Sequence, residues 1–313
     1  MNISLSIGGW TGSQYFSSAV ATASNRTAFV HAVVALVTQY KLDGIDFECV
    51  MRTWTQSGNR LADFLTLSWE YPNGPGIGCN VVSPDDSANF HAFLQELRAD
   101  PAARDITLSA AVSIKPWFGS GGTPMTDVSE FAKVIDYIGE CTGYTTLAFI
   151  YGTFTHLVHP SEIMNYDIWG SWSTSVGPNA PLDDSCSSTQ DGSAMSAVKS
   201  WTSANFPADQ IVLGVAAYGH SFYVTSSTAL SGSNTLSTNP PFDKSMQPHG
   251  DRWDADVGVD QCGNATPIGG IFNFWGLVDA GFLNSNGTAA AGIDFQYDNC
   301  SQTASRSSIL VTF

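Results

Sequence analysis

The feature that most restricts the fold of this chain is a repeated alternation of short β-branched runs with amphipathic helical stretches. Residues 3–7 alternate like a buried strand and stop at Gly8-Gly9, and residues 25–40 carry Phe29, Val33, Leu36 and Val37 at helical spacing. The unit then repeats, with strands predicted over 42–47, 106–114, 163–167 and 211–217 and helices over 87–97, 128–138 and 195–205. Strands separated by helices build parallel βαβ units, so the class is α/β. From about Val224 the pattern changes to Gly, Asn, Asp and aromatic residues, which predicts an added α+β lobe. The expected division is a partial (β/α) barrel over 1–223, the lobe over 224–303 and a separate tail over 304–313.

Charge narrows the function. Twelve basic against 28 acidic side chains give a net charge of −16, which repels phosphate backbones and anionic lipid, so neither nucleic acid nor a membrane surface is an expected partner. No run approaches the roughly 18 apolar residues of a membrane span; residues 29–37 come nearest and contain His31. The first residues read as a strand rather than as a signal peptide. Asn-x-Ser/Thr acceptors at Asn2, Asn25, Asn264, Asn286 and Asn299, with an extracellular style of cysteine use, nevertheless point outside the cell.

Carboxylates cluster in Asp43-Gly44-Ile45-Asp46-Phe47, a strand whose C-terminal end would face the mouth of an α/β barrel. Around it stand Ser6-Ile7-Gly8-Gly9-Trp10, Trp69-Glu70-Tyr71-Pro72, Met164-Asn165-Tyr166-Asp167 and Ala217-Tyr218-Gly219. Together these motifs resemble glycoside hydrolase family 18, the chitinases, and more closely its secreted fungal members. The resemblance implies an incomplete TIM (β/α)8-type barrel, with its third to seventh strands present, and an α+β insertion lobe. It implies endo-type hydrolysis of β-1,4-N-acetylglucosamine linkages in chitin or chitooligosaccharides by a monomer that needs neither cofactor nor metal. The family is a substrate-assisted exception among glycosidases, in which the substrate's own acetamido oxygen is the nucleophile.

On that resemblance Glu70 is the general acid, with Asp46, Asp43, Tyr166 and Asp167 completing the catalytic set. Gly9, Trp10, Trp69, Tyr71, Trp117, Met164, Trp169 and Tyr218 are the substrate-binding candidates, and Trp172 is a further stacking candidate.

The catalytic motif is interrupted: Phe47 should be followed by Asp-Trp-Glu-Tyr-Pro, but Glu48-Cys49-Val50 intervenes and Trp69-Glu70-Tyr71-Pro72 resumes later. Residues 48 to 50 can be encoded by GAG TGC GTN, which holds a donor-like GTGCGT, and Ser68 can be encoded by AGY, which holds an acceptor AG. In-frame excision between them reads Asp, the missing residue. A second excision, from a donor in Gly139-Glu140 to an acceptor in Ser161-Glu162, joins Ile138 to Ile163 through a single Glu. Residues 48–68 and 139–162 are therefore expected to derive from retained introns, and a displaced Glu70 predicts weak or no activity for this exact polypeptide, which carries both segments. Cys49 and Cys141 fall in these segments, which leaves Cys79, Cys186, Cys262 and Cys300 for two disulfides. The expected pairing is Cys79 with Cys186 and Cys262 with Cys300.

Two other classes compete with the enzyme reading: a chitin-binding, lectin-like protein that does not hydrolyse, and a non-functional gene product. His156-Leu157-Val158-His159 lacks a third metal ligand, and Gly219-His220-Ser221 lacks the second glycine of a nucleophile elbow.

Overall fold

The computed structural model describes residues 4–47, 71–74, 76–138, 149–150, 153–154, 163–230, 236–306 and 310–312. Glu70, Trp69, Cys49 and Cys141 lie outside them. The chain forms two compact units, residues 1–164 with 198–214, and residues 165–197 with 215–313.

In the first unit the strands Ser4–Ser6, Gly44–Phe47, Thr107–Ala110 and Tyr137–Ile138 lie side by side, all parallel. Parallel bridges Val112–Ile163, Ile138–Ile211 and Ile163–Leu213 extend this sheet to a fifth position. This is the incomplete barrel expected from the sequence, and it does not close among the described residues.

Helix Ala23–Tyr40 starts at Thr22, whose hydroxyl accepts the Asn25 N–H at 3.2 Å, and stops at Lys41 in the left-handed conformation. Helix Asp86–Ala99 spaces Phe90, Phe93, Leu94 and Leu97 along one buried face. Phe29 stacks on Phe93 at 4.6 Å and joins the two helices. Each fully buried side chain of this size contributes about 1.5–3 kcal/mol. Trp201, also fully buried, donates its indole N–H to the Ser113 carbonyl at 2.9 Å.

The helix expected over 128–138 is absent. A 3-10 turn spans Phe131–Lys133 and a strand follows at Tyr137–Ile138. Side chains from elsewhere take the carbonyls that a helix would use internally: Arg98 donates to Val134 O at 2.9 and 3.1 Å, and Gln210 Nε2 donates to the carbonyls of Ala132, Ile135 and Asp136. The Asp136 carboxylate accepts the Leu108 N–H at 2.8 Å, which seats the new strand in the sheet.

The second unit is a five-stranded antiparallel sheet in the order Ile271–Asn273, Tyr218–Phe222, Leu310–Thr312, Thr303–Arg306, Phe295–Asp298. Residues 218–222, expected in the barrel, and residues 304–312, expected as a tail, therefore belong to one sheet here. Val176, Phe222 and Leu236 form one small core under it, and Phe272 with Leu277 another.

The disulfide pairing also differs from expectation. Cys186 is bonded to Cys300, with Cα atoms 5.7 Å apart. The Leu182 N–H donates to Ser301 O at 2.9 Å and draws the two segments together. With Cys186 and Cys300 thus occupied, neither expected pair forms; Cys79 and Cys262 are in disulfides as well.

Candidate active site

The first unit carries one group of the candidate residues. Strand Ser4–Ser6 runs into a turn at Gly8 and Gly9, whose φ values of 123° and 90° are open only to glycine, and buries Gly9 at the head of a short helix. This turn presents Trp10, 48% exposed, edge-on to Tyr71 with ring centroids 6.2 Å apart. In the neighbouring strand Asp46 stands opposite Ser6 on one side and Ser109 on the other, so one lane across the sheet is polar. Gly44 lets the strands approach: a Cβ there would meet Ser4 Oγ at 2.6 Å and Thr107 O at 3.0 Å.

Asp43 does not join this lane. It is exposed and precedes the first residue of the Gly44–Phe47 strand, at the N-terminal end, where a barrel carries stability rather than chemistry. Trp117 is likewise withdrawn from any ligand. It is 3% exposed and packs against Phe90, Phe131 and Trp201. Met164 is half-buried, with its N–H on Val112 O at 3.0 Å.

The second unit carries a separate group of candidate residues. Asp167 adopts φ 53° and its N–H donates to Asn179 Oδ1 at 2.9 Å, while Asn179 Nδ2 donates to the Tyr218 carbonyl at 2.9 Å. Asn179 is fully buried, so this amide fixes the Asp167 backbone against the Tyr218–Phe222 strand. The side chains then converge: Tyr218 Oη donates to Asp167 Oδ1 at 2.8 Å and His220 Nε2 reaches the same oxygen at 2.7 Å. A carboxylate oxygen only accepts, so His220 carries the proton on Nε2.

Tyr166 packs edge-on to Tyr218 at 5.9 Å, and its hydroxyl is buried with no hydrogen-bond partner among the described residues. A buried hydroxyl left unpaired costs about 1–3 kcal/mol, a cost that a ligand acceptor removes.

Of the tryptophans here, Trp172 is 58% exposed and lies edge-on to His220 at 5.5 Å. Trp169 is 9% exposed, with Gly177 so close to its ring that an added Cβ would stand 2.1 Å away. It lines a cavity of about 480 Å³ together with Asp183, Asp184, Cys186 and Cys300. Asn179 and His220 were not singled out in the sequence as site residues. His220 sits one residue beyond the Ala-Tyr-Gly motif and was within reach of sequence reasoning, whereas Asn179 carries no local signal. Among the described residues no His, Cys, Asp and Glu cluster could hold a metal ion, and no helix is long and apolar enough to cross a membrane.

The sequence profile of the glycosyl hydrolases family 18 matches residues 1–302. A chitinase-like effector of Moniliophthora roreri is 46% identical over 302 residues, covering 95% of this chain and 63% of the relative. Another from Moniliophthora perniciosa is 43% identical over 307 residues, covering 97% of this chain and 60% of the relative. The chain thus spans about three-fifths of the length of these curated relatives. The crystal structure of a chitinase from Rhizomucor miehei superposes with a TM-score of 0.77 at 28% identity, covering all of this chain and 73% of that one.

Proposed function

The chain belongs to the glycosyl hydrolases of family 18, and from that premise we propose that it binds chitin or chitooligosaccharides and that its residues are those of a substrate-assisted retaining chitinase outside the cell. The observation that carries this reading is the Tyr166 hydroxyl, buried and without a hydrogen-bond partner among the described residues, next to Asp167 in the chain.

In this reading the acetamido oxygen of the bound sugar accepts the Tyr166 proton. The hydrogen bond orients that oxygen for attack on the anomeric carbon and stabilises the charge it acquires. Asp167 lines the same subsite, its Oδ1 held by Tyr218 and His220 so that Oδ2 remains for a sugar hydroxyl. Asp46 lies two positions before the Asp that excision would restore, so strand alternation puts both on one face. Of carboxylates so closely spaced, not all ionise near neutral pH, which keeps Glu70 protonated as the acid toward the glycosidic oxygen. Trp10 and Trp172 supply exposed ring faces for the sugars, and Tyr71 backs Trp10.

Binding without turnover is the second reading. It is favoured by the sequence distance between Phe47, where the strand ends, and Glu70, and by the name chitinase-like borne by two relatives. The test is a pair of measurements on the full chain with chitotetraose, its binding by calorimetry and its hydrolysis by product analysis. Hydrolysis abolished by Glu70→Gln supports the enzyme; binding without products supports the second reading; no binding rejects both.

A further inference from the structure

Ile138 and Ile163 behave as neighbours but one on a single strand. On one side of them, Ile138 stands opposite Ala110 and Ile163 opposite Val112. On the other side, Ile138 stands opposite Ile211 and Ile163 opposite Leu213. Both flanking strands advance by two residues where this chain advances from 138 to 163.

The hydrogen bonds give the same count. A residue in a parallel ladder bonds to the two residues that flank its opposite number. Val212 donates to the Ile138 carbonyl at 3.3 Å and accepts the Ile163 N–H. One strand position therefore faces Val212, and Ile138 and Ile163 lie on either side of it. The ladder then continues without slip: Met164 N–H donates to Val112 O at 3.0 Å, and Gly214 N–H to Ile163 O at 2.8 Å. Both isoleucines are fully buried, as two residues on the same face must be.

Into that single position the sequence puts residues 139–162. The part of this segment that is described, Phe149–Ile150 and Thr153–Phe154, pairs antiparallel with itself and with no other strand among the described residues. The residues permit codons with a donor in Gly139-Glu140 and an acceptor in Ser161-Glu162, and excision between them leaves one residue, a Glu, the number that the register calls for.

We propose that residues 139–162 are a retained intron, and that the functional polypeptide passes from Ile138 to Ile163 through a single Glu. By strand alternation that Glu shares its face with Tyr137 and Met164, opposite to the face of the two buried isoleucines. This inference rests on the register of the sheet and on codons that the residues permit.

Two measurements test it together. The mature transcript is sequenced across codons 138 to 163, and the full chain is compared with a variant in which one Glu replaces residues 139–162. The expected transcript lacks the segment. The shortened protein is expected to melt higher, with the Val212 and Ile163 amides exchanging at least tenfold more slowly, or to fold where the full chain does not. A segment present in all mature transcripts, or a shortened chain that melts at or below the temperature of the full chain, overturns the proposal.

Discussion

Asp167 and His220 meet through one oxygen: His220 Nε2 lies 2.7 Å from Asp167 Oδ1, with the imidazole 8% and the carboxylate 49% exposed. The buried partner anchors and the exposed partner is presented. A hydrogen bond to a charged group is worth about 1.5–3 kcal/mol, so His220→Leu is expected to weaken chitotetraose binding by about tenfold or more. His220→Gln, which keeps a donor at the same reach, is expected to retain most of the affinity. Calorimetric titration of both variants checks this, and a Leu variant that binds like the parent would remove His220 from the site. An Asp167→Asn variant that also binds normally would remove the site itself.

Trp10 and Trp117 were equivalent candidates in the sequence and are opposites in the structure, at 48% and 3% exposure. Trp117→Ala is expected to cost about 3–5 kcal/mol of stability, the range for a buried large aromatic. Trp10→Ala is expected to leave stability within about 0.5 kcal/mol and to weaken oligosaccharide binding. Urea unfolding and calorimetry on the two variants separate these effects.

Arg98 holds four groups at once: the carbonyls of Arg104, Ile106 and Val134, and the Asp136 carboxylate at 2.9 Å. Arg98→Met keeps the stem and removes every bond, leaving part-buried carbonyls unpaired. A loss of about 2–4 kcal/mol is expected in denaturant unfolding, since each stranded group costs about 1–3 kcal/mol. A change below 0.5 kcal/mol, roughly that of a plain surface substitution, would mean that the 131–138 segment is held some other way.

Two aspartates give the acid limb of stability opposite slopes. Burial pushes the Asp298 carboxyl up, but the Ser301 hydroxyl and the N–H groups of Cys300 and Ser301 outweigh it and hold the group below its ordinary value. Its contribution is complete above the unfolded value of about 3.9 and is lost as pH falls through the lower folded value. Asp86 is raised, chiefly by burial and against the hydrogen bonds from Ser17, Ser83 and Asn73. Its contribution is complete below the unfolded value and is lost as pH rises through the folded one. Thermal melts from pH 7 to pH 3 are expected to be flatter for Asp298→Asn than for the parent, and steeper for Asp86→Asn.

Helix Asp86–Ala99 was legible because Phe90, Phe93, Leu94 and Leu97 state their period within the segment itself. The Gly8-Gly9 turn was legible because only glycine tolerates its backbone. The 128–138 segment was misread although its apolar spacing suits a helix, because Arg98 and Gln210 reach it from distant positions and take its carbonyls. Cys186 was assigned the wrong partner for a related reason: the Leu182–Ser301 contact that brings it to Cys300 is made between segments far apart in the chain.

The sequence by itself determined the α/β alternation, the family motifs and the break within a motif, because periodicity, glycine tolerance and motif spacing are properties of neighbouring residues. The tertiary structure alone decided that Trp10 is exposed and Trp117 buried, that Asn179 and His220 hold Asp167, and that one strand position separates Ile138 from Ile163. Burial, convergence and register arise when segments remote in the chain are brought within a few ångströms, and no local pattern encodes that distance.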